Sequence, residues 1–375
     1  GSFDLNKNSY VDFQVHRTAD RHYLNTYKYG YQDTLTSFLK LNTHRHSNFY
    51  SLETYLFQDL RQDINRRQIP KILPRISLNL NSEKKMNLLN FETNVEMINL
   101  KRNEGNETKK LFLNQNIFFP TLFSDGTLVN FGAHLNAGIF HIKKYLNPKN
   151  GKFKYSQLKS NIYPQLSFEL TKPYVKYTEK YKTILKPQFM YLKSASNAFN
   201  REIPDESNVN NFYLDYFDLF NRNRLSGLYR ADNLDRFDYG LSFLKQSNLT
   251  NKFSKIGLAQ SYHFDNHKFL PKNSGINDKF SDILANFEIS PIDSLNLSIY
   301  LSLDKNEFSI KNAYSTLMFN IKETYLNIRN INAPAVLDNS GQNLIEAKNQ
   351  FNISIQQKFS EYWSFTTSST FDKKN

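Results

Sequence analysis

Apolar and polar positions alternate with a period of two along most of this chain. Leu295, Leu297, Ile299, Leu301 and Leu303 are separated by Asn296, Ser298, Tyr300 and Ser302. Ile76, Leu78 and Leu80 alternate with Ser77, Asn79 and Asn81, and Phe91, Thr93, Val95 and Met97 with Glu92, Asn94 and Glu96. The same pattern recurs at Leu166, Phe168 and Leu170 and at Phe351, Ile353 and Ile355. Successive side chains of a strand point to opposite faces, so each segment predicts a strand with one apolar face. The row Val129, Phe131, Ala133, Leu135, Ala137 and Ile139 is as long as the roughly 9–11 residues that a tilted strand needs to cross a bilayer. No stretch of helical period competes with these in length.

Strands of a soluble sandwich run to about five or six residues, and many here are longer. At roughly 20 residues per strand and turn, the chain supplies about 18 strands, within a range of about 16–20. The expected fold is all-β: one large antiparallel transmembrane β-barrel over residues 1–375, with no linker-like tract dividing it. Unequal polar joints fit that fold. Asp304–Glu307 is expected on the side of short turns, and Lys101–Lys110, Asn147–Lys154, Asn197–Asn211 and Asn330–Lys348 are expected as longer loops. Most of the 11 prolines are expected at strand starts or in connections, where a missing N–H is tolerated.

Composition sharpens this picture. Hydrophobic residues make up only 39% of the chain while aromatics reach 15%, which suits a lipid-facing band with interfacial girdles better than a large dry core. No run of about 18 apolar residues exists, so a helical membrane span is excluded but strand spans are not. The absence of cysteine removes zinc–thiolate sites, disulfides and thiol nucleophiles together. The formal charge of +13 favours an anionic partner. Gly1–Tyr10 is polar and is not a signal peptide; a protein of this kind needs one, so the chain reads as part of a longer precursor.

Enzyme chemistry finds no foothold, and no cofactor is expected. His44 and His46 would share one face of a strand, but the third ligand of a metal site is missing, and Arg45 and Arg61 suggest a basic loop. His263 and His267 are read the same way. Glu92 with Glu96, or Asp232 with Asp235, could be drawn as general acid and base, yet no nucleophile motif and no glycine-rich phosphate loop accompanies them. The glutamate row is better read as charge lining a wet lumen. Nucleic-acid binding would gather the basic and aromatic residues on a small platform, whereas here they are spread over the whole length.

The segment Asn221–Leu241 stands apart. Arginines at 222, 224, 230 and 236 interleave with aspartates at 232, 235 and 238, directly against the alternating strand Phe237–Phe243. Two readings are open: a solvated charge ladder inside the barrel, or an inner loop held by fixed Arg–carboxylate pairs, which are geometrically specific.

Several segments, in order, resemble the LptD (OstA) family of outer-membrane lipopolysaccharide-assembly proteins. Asp20-Arg21-His22-Tyr23-Leu24 with Tyr27 is similar to its D-x-x-Y-L-x-x-Y element, and Phe57–Arg61 with Ile69–Pro74 to its FQ…P-x-x-P-x-I strand pair. Ile203–Ser207, followed by Phe212 and Asp215, resembles its acidic stretch before the arginine motif. Asn223, Arg224, Ser226 and Gly227 stand on its N-R-F-S-G positions, and Arg230, Asp232, Arg236, Tyr239 and Gly240 on its D-R-x-E…R-x-x-Y-G-L positions. Lys279–Ile283, Ser290-Pro291 and Leu303-Asp304 resemble its next strand pair. Leu225 and Tyr229 depart from the pattern, as do the missing cysteines and the lack of proline before Pro70.

The resemblance implies a non-enzymatic translocon component that inserts lipopolysaccharide into the outer leaflet by lateral opening of the barrel. It also implies the Gram-negative outer membrane and its lipids as surroundings and an LptE-like lipoprotein plug in the lumen. A periplasmic LptA-like bridge would reach it through an N-terminal jellyroll domain that, like the last strand, is not in this chain. The nine motif residues from Asn223 to Gly240 are expected to form a lumen-side network. A general porin or other large outer-membrane channel is the alternative, and the arginine motif distinguishes it, because general porins have no reason to carry one.

Overall fold

A computed structural model describes residues 1–30, 32–82, 89–146, 153–195, 214–224, 232, 234–264, 273–337 and 343–373. The strands in chain order are β1 (Ser2–Asn6), β2 (Ser9–Gln14), β3 (Thr34–Arg45), β4 (Asn48–Asp59), β5 (Lys71–Asn81), β6 (Asn90–Lys101) and β7 (Glu107–Leu122). There follow β8 (Leu128–Leu146), β9 (Phe153–Thr171), β10 (Tyr174–Tyr177), β11 (Tyr181–Ser194), β12 (Arg236–Ser247), β13 (Phe253–His263) and β14 (Ile283–Ile292). The last are β15 (Leu295–Leu303), β16 (Ile310–Ile321), β17 (Thr324–Ala333), β18 (Val336–Leu337), β19 (Asn343–Ile345), β20 (Lys348–Lys358) and β21 (Ser364–Asp372). Nineteen of them form one sheet, and β18 and β19 pair separately. Every register resolved between neighbours is antiparallel. The only α-helices among the described residues are α1 (Tyr23–Thr26) and α2 (Tyr216–Leu219). Neither is long and apolar enough to cross a membrane.

The chain divides into two compact units, one built mainly on Gly1–Pro120 and Gly132–Gln165, the other mainly on Thr121–Phe131, Leu166–Ser196 and Asn208–Asn375. In the first, β1 to β6 form a meander whose two-residue joints Lys7-Asn8 and His46-Ser47 alternate with the longer connections 15–33 and 60–70. In the second, β11 to β17 form a meander that continues through β20 to β21.

Burial inverts the order of a soluble protein. Along β13, Gly257, Ala259, Ser261 and His263 are buried, while Ile256 and Leu258 between them are exposed. In β8 the buried row includes Gly132, His134, Asn136 and Gly138, and Phe131 and Ile139 of the predicted apolar row are exposed. Among the described residues, buried polar side chains outnumber buried apolar ones, and large exposed hydrophobics occur along most strands. Water-soluble sheets bury the apolar face; a sheet solvated by lipid presents it.

The predicted alternating segments all fall inside strands, and Leu295–Leu303 coincides with β15. Three local expectations need correction. Lys101–Lys110 is not a long loop, because β6 runs to Lys101 and β7 begins at Glu107. Asp304–Glu307 is not on the short-turn side. Antiparallel strands alternate ends, which places the joint after β15 with the long connections after β11 and β13, opposite the tight β14–β15 and β16–β17 turns. Pro74, Pro120, Pro164, Pro187 and Pro291 lie within strands. Pro74 and Pro291 are accommodated where the ladder shifts register, between Ile72 and Arg75 and between Ile289 and Ile292. A bulge removes the need for the N–H that proline lacks.

Leu258 pairs with Leu241 on the exposed apolar face. A Leu258→Arg variant should lose roughly 2–4 kcal/mol of stability, as for a lipid-facing cation near the bilayer midplane. Urea unfolding in lipid vesicles, followed by the fluorescence of Trp363, measures it. A change within about 0.5 kcal/mol, normal for an exposed site in water, would mean that this face does not meet lipid.

Candidate functional site: a buried arginine–aspartate lock

Of the charged stretch singled out in the sequence, Arg224, Asp232, Arg236 and Asp238 are buried together on one face of β12 and β13. Period-two alternation puts Arg236 and Asp238 on that face of β12, and the register sets His263 opposite Arg236 and Ser261 opposite Asp238. The strand therefore presents a four-residue polar patch before any loop residue arrives. Arg224 and Asp232, from the segment preceding β12, complete it.

The geometry is dense. Arg236 Nε donates to Asp238 Oδ2 at 2.7 Å and its Nη1 to Asp232 Oδ2 at 2.8 Å. Its Nη2 donates to the carbonyls of Asn221 and Arg222. Arg224 Nε reaches the same Asp232 oxygen at 2.6 Å, and its Nη1 donates to Ser261 Oγ at 3.2 Å. The Ser261 hydroxyl in turn donates to Asp238. Asn223 joins by accepting the Asp232 backbone N–H at 3.0 Å. His263 Nδ1 lies 2.7 Å from the Asp278 carbonyl, which accepts only from N–H; Nε2 is then the acceptor facing Arg224 Nη2 at 3.2 Å. Two guanidinium groups, two carboxylates and a neutral imidazole balance in charge. Burial by itself would raise the Asp232 carboxyl, but Arg224 and Arg236 override it and hold it at about 2.

Below this lock an aromatic wedge seats the same segment. Asp215 caps α2, accepting from the backbone N–H of Phe217 and Asp218 at 2.7 and 2.9 Å. Tyr216 and Leu219 then pack with Ala259 and Leu284 in a small apolar cluster that Leu214 and Phe220 flank. Two glycines make the approach possible. A Cβ on Gly257 would lie 2.1 Å from Asn286 Oδ1 and 3.0 Å from the Tyr216 ring, and one on Gly240 would lie 3.0 Å from Phe220. Phe217 continues the wedge, with Lys255 Nζ 4.2 Å from its ring centre.

Of the expected site residues, Asn223, Arg224, Asp232 and Arg236 are brought together, and Gly240 serves by close packing. Tyr239 is not in the network. Its odd position turns it to the opposite face, where it bonds Gln260 at 2.6 Å and neighbours Phe237. Asp235 leaves the arginines and pairs with Lys193. Ser226, Gly227 and Arg230, the Ile203–Ser207 stretch and His267 lie outside the described residues. The sequence reading missed Ser261, Tyr216 and Phe220, and set His263 aside with His267 as no metal site. Their signal was weak: a small-residue row on β13 (Gly257, Ala259, Ser261) and aromatics twenty residues upstream, joined only by register.

A second charged group fixes Asp278 and Asp282, just ahead of β14. Lys311 Nζ lies 2.8 Å from Asp282 and 2.7 Å from Asp304, and Lys305 pairs with Asp278. Ser261 and Ser281 exchange backbone and side-chain hydrogen bonds beside the lock, so the connection that supplies the Asp278 carbonyl is held from both sides.

A sheet of long antiparallel strands with an exposed apolar face and a buried, largely polar one, and with a chain segment bound to the latter, belongs to an outer-membrane protein of the β-barrel class. More closely, residues 1–363 match the model of the family described as LPS transport system D, LptD, and the chain belongs to that family. No curated protein matches the chain significantly in sequence. Solved structures with a similar course include a mutant ferric enterobactin receptor of Pseudomonas aeruginosa in complex with enterobactin. It shares 10% identity at a TM-score of 0.46, over 98% of this chain and 71% of that one. The siderophore receptor PirA of Acinetobacter baumannii shares 10% identity at a TM-score of 0.47, over 98% of this chain and 62% of that one.

Removing one partner of a buried ion pair strands the other, so Arg236→Met should cost about 3–5 kcal/mol. The double variant Arg236→Met/Asp238→Asn should recover part of that loss; equal losses in both, measured by urea unfolding, would mean that the charges are not coupled. The Asp232 carboxyl titrates below its ordinary 3.8, so its stabilisation is complete above that value and fades as pH falls toward 2. Stability profiles between pH 5 and pH 2 should therefore be steeper for the native chain than for Asp232→Asn, within the roughly pH 4 to 2 interval.

Proposed function

We propose that this chain is the membrane-embedded part of a translocon that inserts lipopolysaccharide into the outer leaflet. The family match over residues 1–363, on a sheet with an apolar outer and a polar inner face, carries this reading. The cargo sets the physical problem. Each buried CH₂ of an acyl chain is worth about 0.8 kcal/mol, so a multiply acylated lipid does not pass through water. A closed β-barrel has no side exit, because every strand edge is hydrogen-bonded. Transient parting of two strands resolves the conflict: the acyl chains move sideways into lipid while the anionic saccharide stays in the polar interior. An excess of 13 positive charges suits a phosphorylated cargo.

The lock has a place in such a mechanism. A barrel that parts at one seam must be stiff elsewhere, and β12 to β14 are cross-braced on their inner face by Arg224, Asp232, Arg236 and the Tyr216 wedge. The partners that fit this reading are lipopolysaccharide itself, a plug lipoprotein of the LptE kind and a periplasmic bridge of the LptA kind. Transport, and no covalent chemistry, is the role proposed.

Depletion of the full-length protein in its source organism tests the reading, with surface lipopolysaccharide and small-solute uptake followed in parallel. Loss of surface lipopolysaccharide with accumulation inside the cell is the expected result. Intact surface lipopolysaccharide with reduced solute uptake would identify a passive porin instead.

A further inference from the structure

We infer that the connection between β2 and β3 carries a docking platform for a phosphorylated saccharide, at the end of the sheet that faces the cell exterior. The inference deepens the transport reading and rests on it. In the first unit this end carries the longer connections, 15–33 and 60–70, and in outer-membrane sheets the longer loops lie outside.

Three tyrosines are gathered there in the open. Tyr23 lies 4.9 Å from Tyr27 and 6.0 Å from Tyr29, ring centre to ring centre, and the three are 43%, 63% and 73% exposed. Clustered rings would ordinarily be turned inward, since each carries a large apolar area. Here the backbone holds them out. Lys28 takes a positive φ of 57°, and the Tyr29 N–H closes the turn on the Leu24 carbonyl at 2.9 Å.

The platform is braced rather than loose. Arg21 reaches across to the neighbouring connection and donates to the carbonyls of Arg61 and Gln62 at 2.8 and 2.9 Å. Gln58 and Thr18 exchange two further bonds, and Gln62 meets the His22 ring at 2.9 Å. A surface fixed this way loses little entropy on binding.

Charge selects the ligand. The connections 15–33 and 60–70 hold Arg17, Arg21, Lys28, Arg61, Arg66 and Arg67 against Asp20, Asp33 and Asp63. Arg21 is spent on carbonyls, Arg61 pairs with Asp59 and Arg67 with Glu104. Arg17, Lys28 and Arg66 are exposed, and no ion pair engages them among the described residues. Exposed rings stack on the C–H faces of pyranoses, phenolic hydroxyls bond sugar hydroxyls, and uncommitted guanidinium groups bind phosphate. A neutral glycan would leave the cations unused, and a bare anion would leave the rings unused. A phosphorylated oligosaccharide uses both.

The test is titration of the purified full-length protein with the phosphorylated core oligosaccharide that mild acid releases from lipopolysaccharide. Native protein, Tyr27→Ala, Tyr29→Ala, Tyr29→Phe and Arg17→Gln/Arg66→Gln are compared. Each Tyr→Ala variant should bind about tenfold more weakly, the Phe variant should keep most of the affinity, and the arginine pair should bind native and dephosphorylated saccharide alike. Unchanged affinity in the Tyr→Ala variants would overturn the platform while leaving the transport reading to its own depletion experiment. Retention of phosphatidylglycerol vesicles without oligosaccharide binding would likewise overturn it, assigning the tyrosines to a membrane surface. Failure of depletion to alter surface lipopolysaccharide would instead remove the transport reading.

Discussion

Hydrocarbon offers no partner to a peptide N–H or C=O, and this constraint governs the whole chain. Every strand that crosses must find its hydrogen bonds in its neighbours, so within each unit the strands run as an antiparallel meander, and the side chains then divide by face. Lipid takes the apolar row, as at Ile256 and Leu258 on β13. The polar row is left facing its own kind. A soluble core is cohesive because water rejects it. The inner face here must be held by specific hydrogen bonds and charge pairs, because nothing non-directional drives its parts together.

That is why the arginine–aspartate lock matters to the architecture. Arg236 and Asp238 are both fully buried, and desolvating such groups is costly enough that the net gain over an apolar packing is small. What the arrangement supplies is position. Five guanidinium donors in a fixed fork accept few alternative registers, so the segment that carries Asn221, Arg222 and Arg224 is set against β12 in one way. The aromatic wedge on Gly240 and Gly257 adds shape to charge, and each would be weaker without the other.

The two ends of the strands are treated differently. In the second unit the tight β14–β15 and β16–β17 turns close one end, while at the other the connections are pinned by ion pairs such as those of Lys311 with Asp282 and Asp304. Division of labour follows: short turns keep the ladder in register, and the longer connections are free to carry specific surfaces.

Much of this was legible in the residues alone. Period two, strand length, the lack of a long apolar run and the wealth of Phe and Tyr determined an all-β membrane fold, because face and length are local properties of a strand. The charged run before Phe237 marked the right segment, since arginines and aspartates at that density must either pair or meet water. The sequence could not choose its pairs. Asp232 serves two arginines while Asp235 goes to Lys193, and His263 and Ser261 enter only because β13 lies in register with β12. Tyr239 was misplaced for a related reason: a motif is read in one dimension, whereas a strand sends neighbouring residues to opposite faces. Which end holds Asp304 and where prolines are tolerated likewise depended on strand parity and on bulges. Local pattern determined what each strand is; only the tertiary structure decided which strands meet, and hence which charges share a buried face.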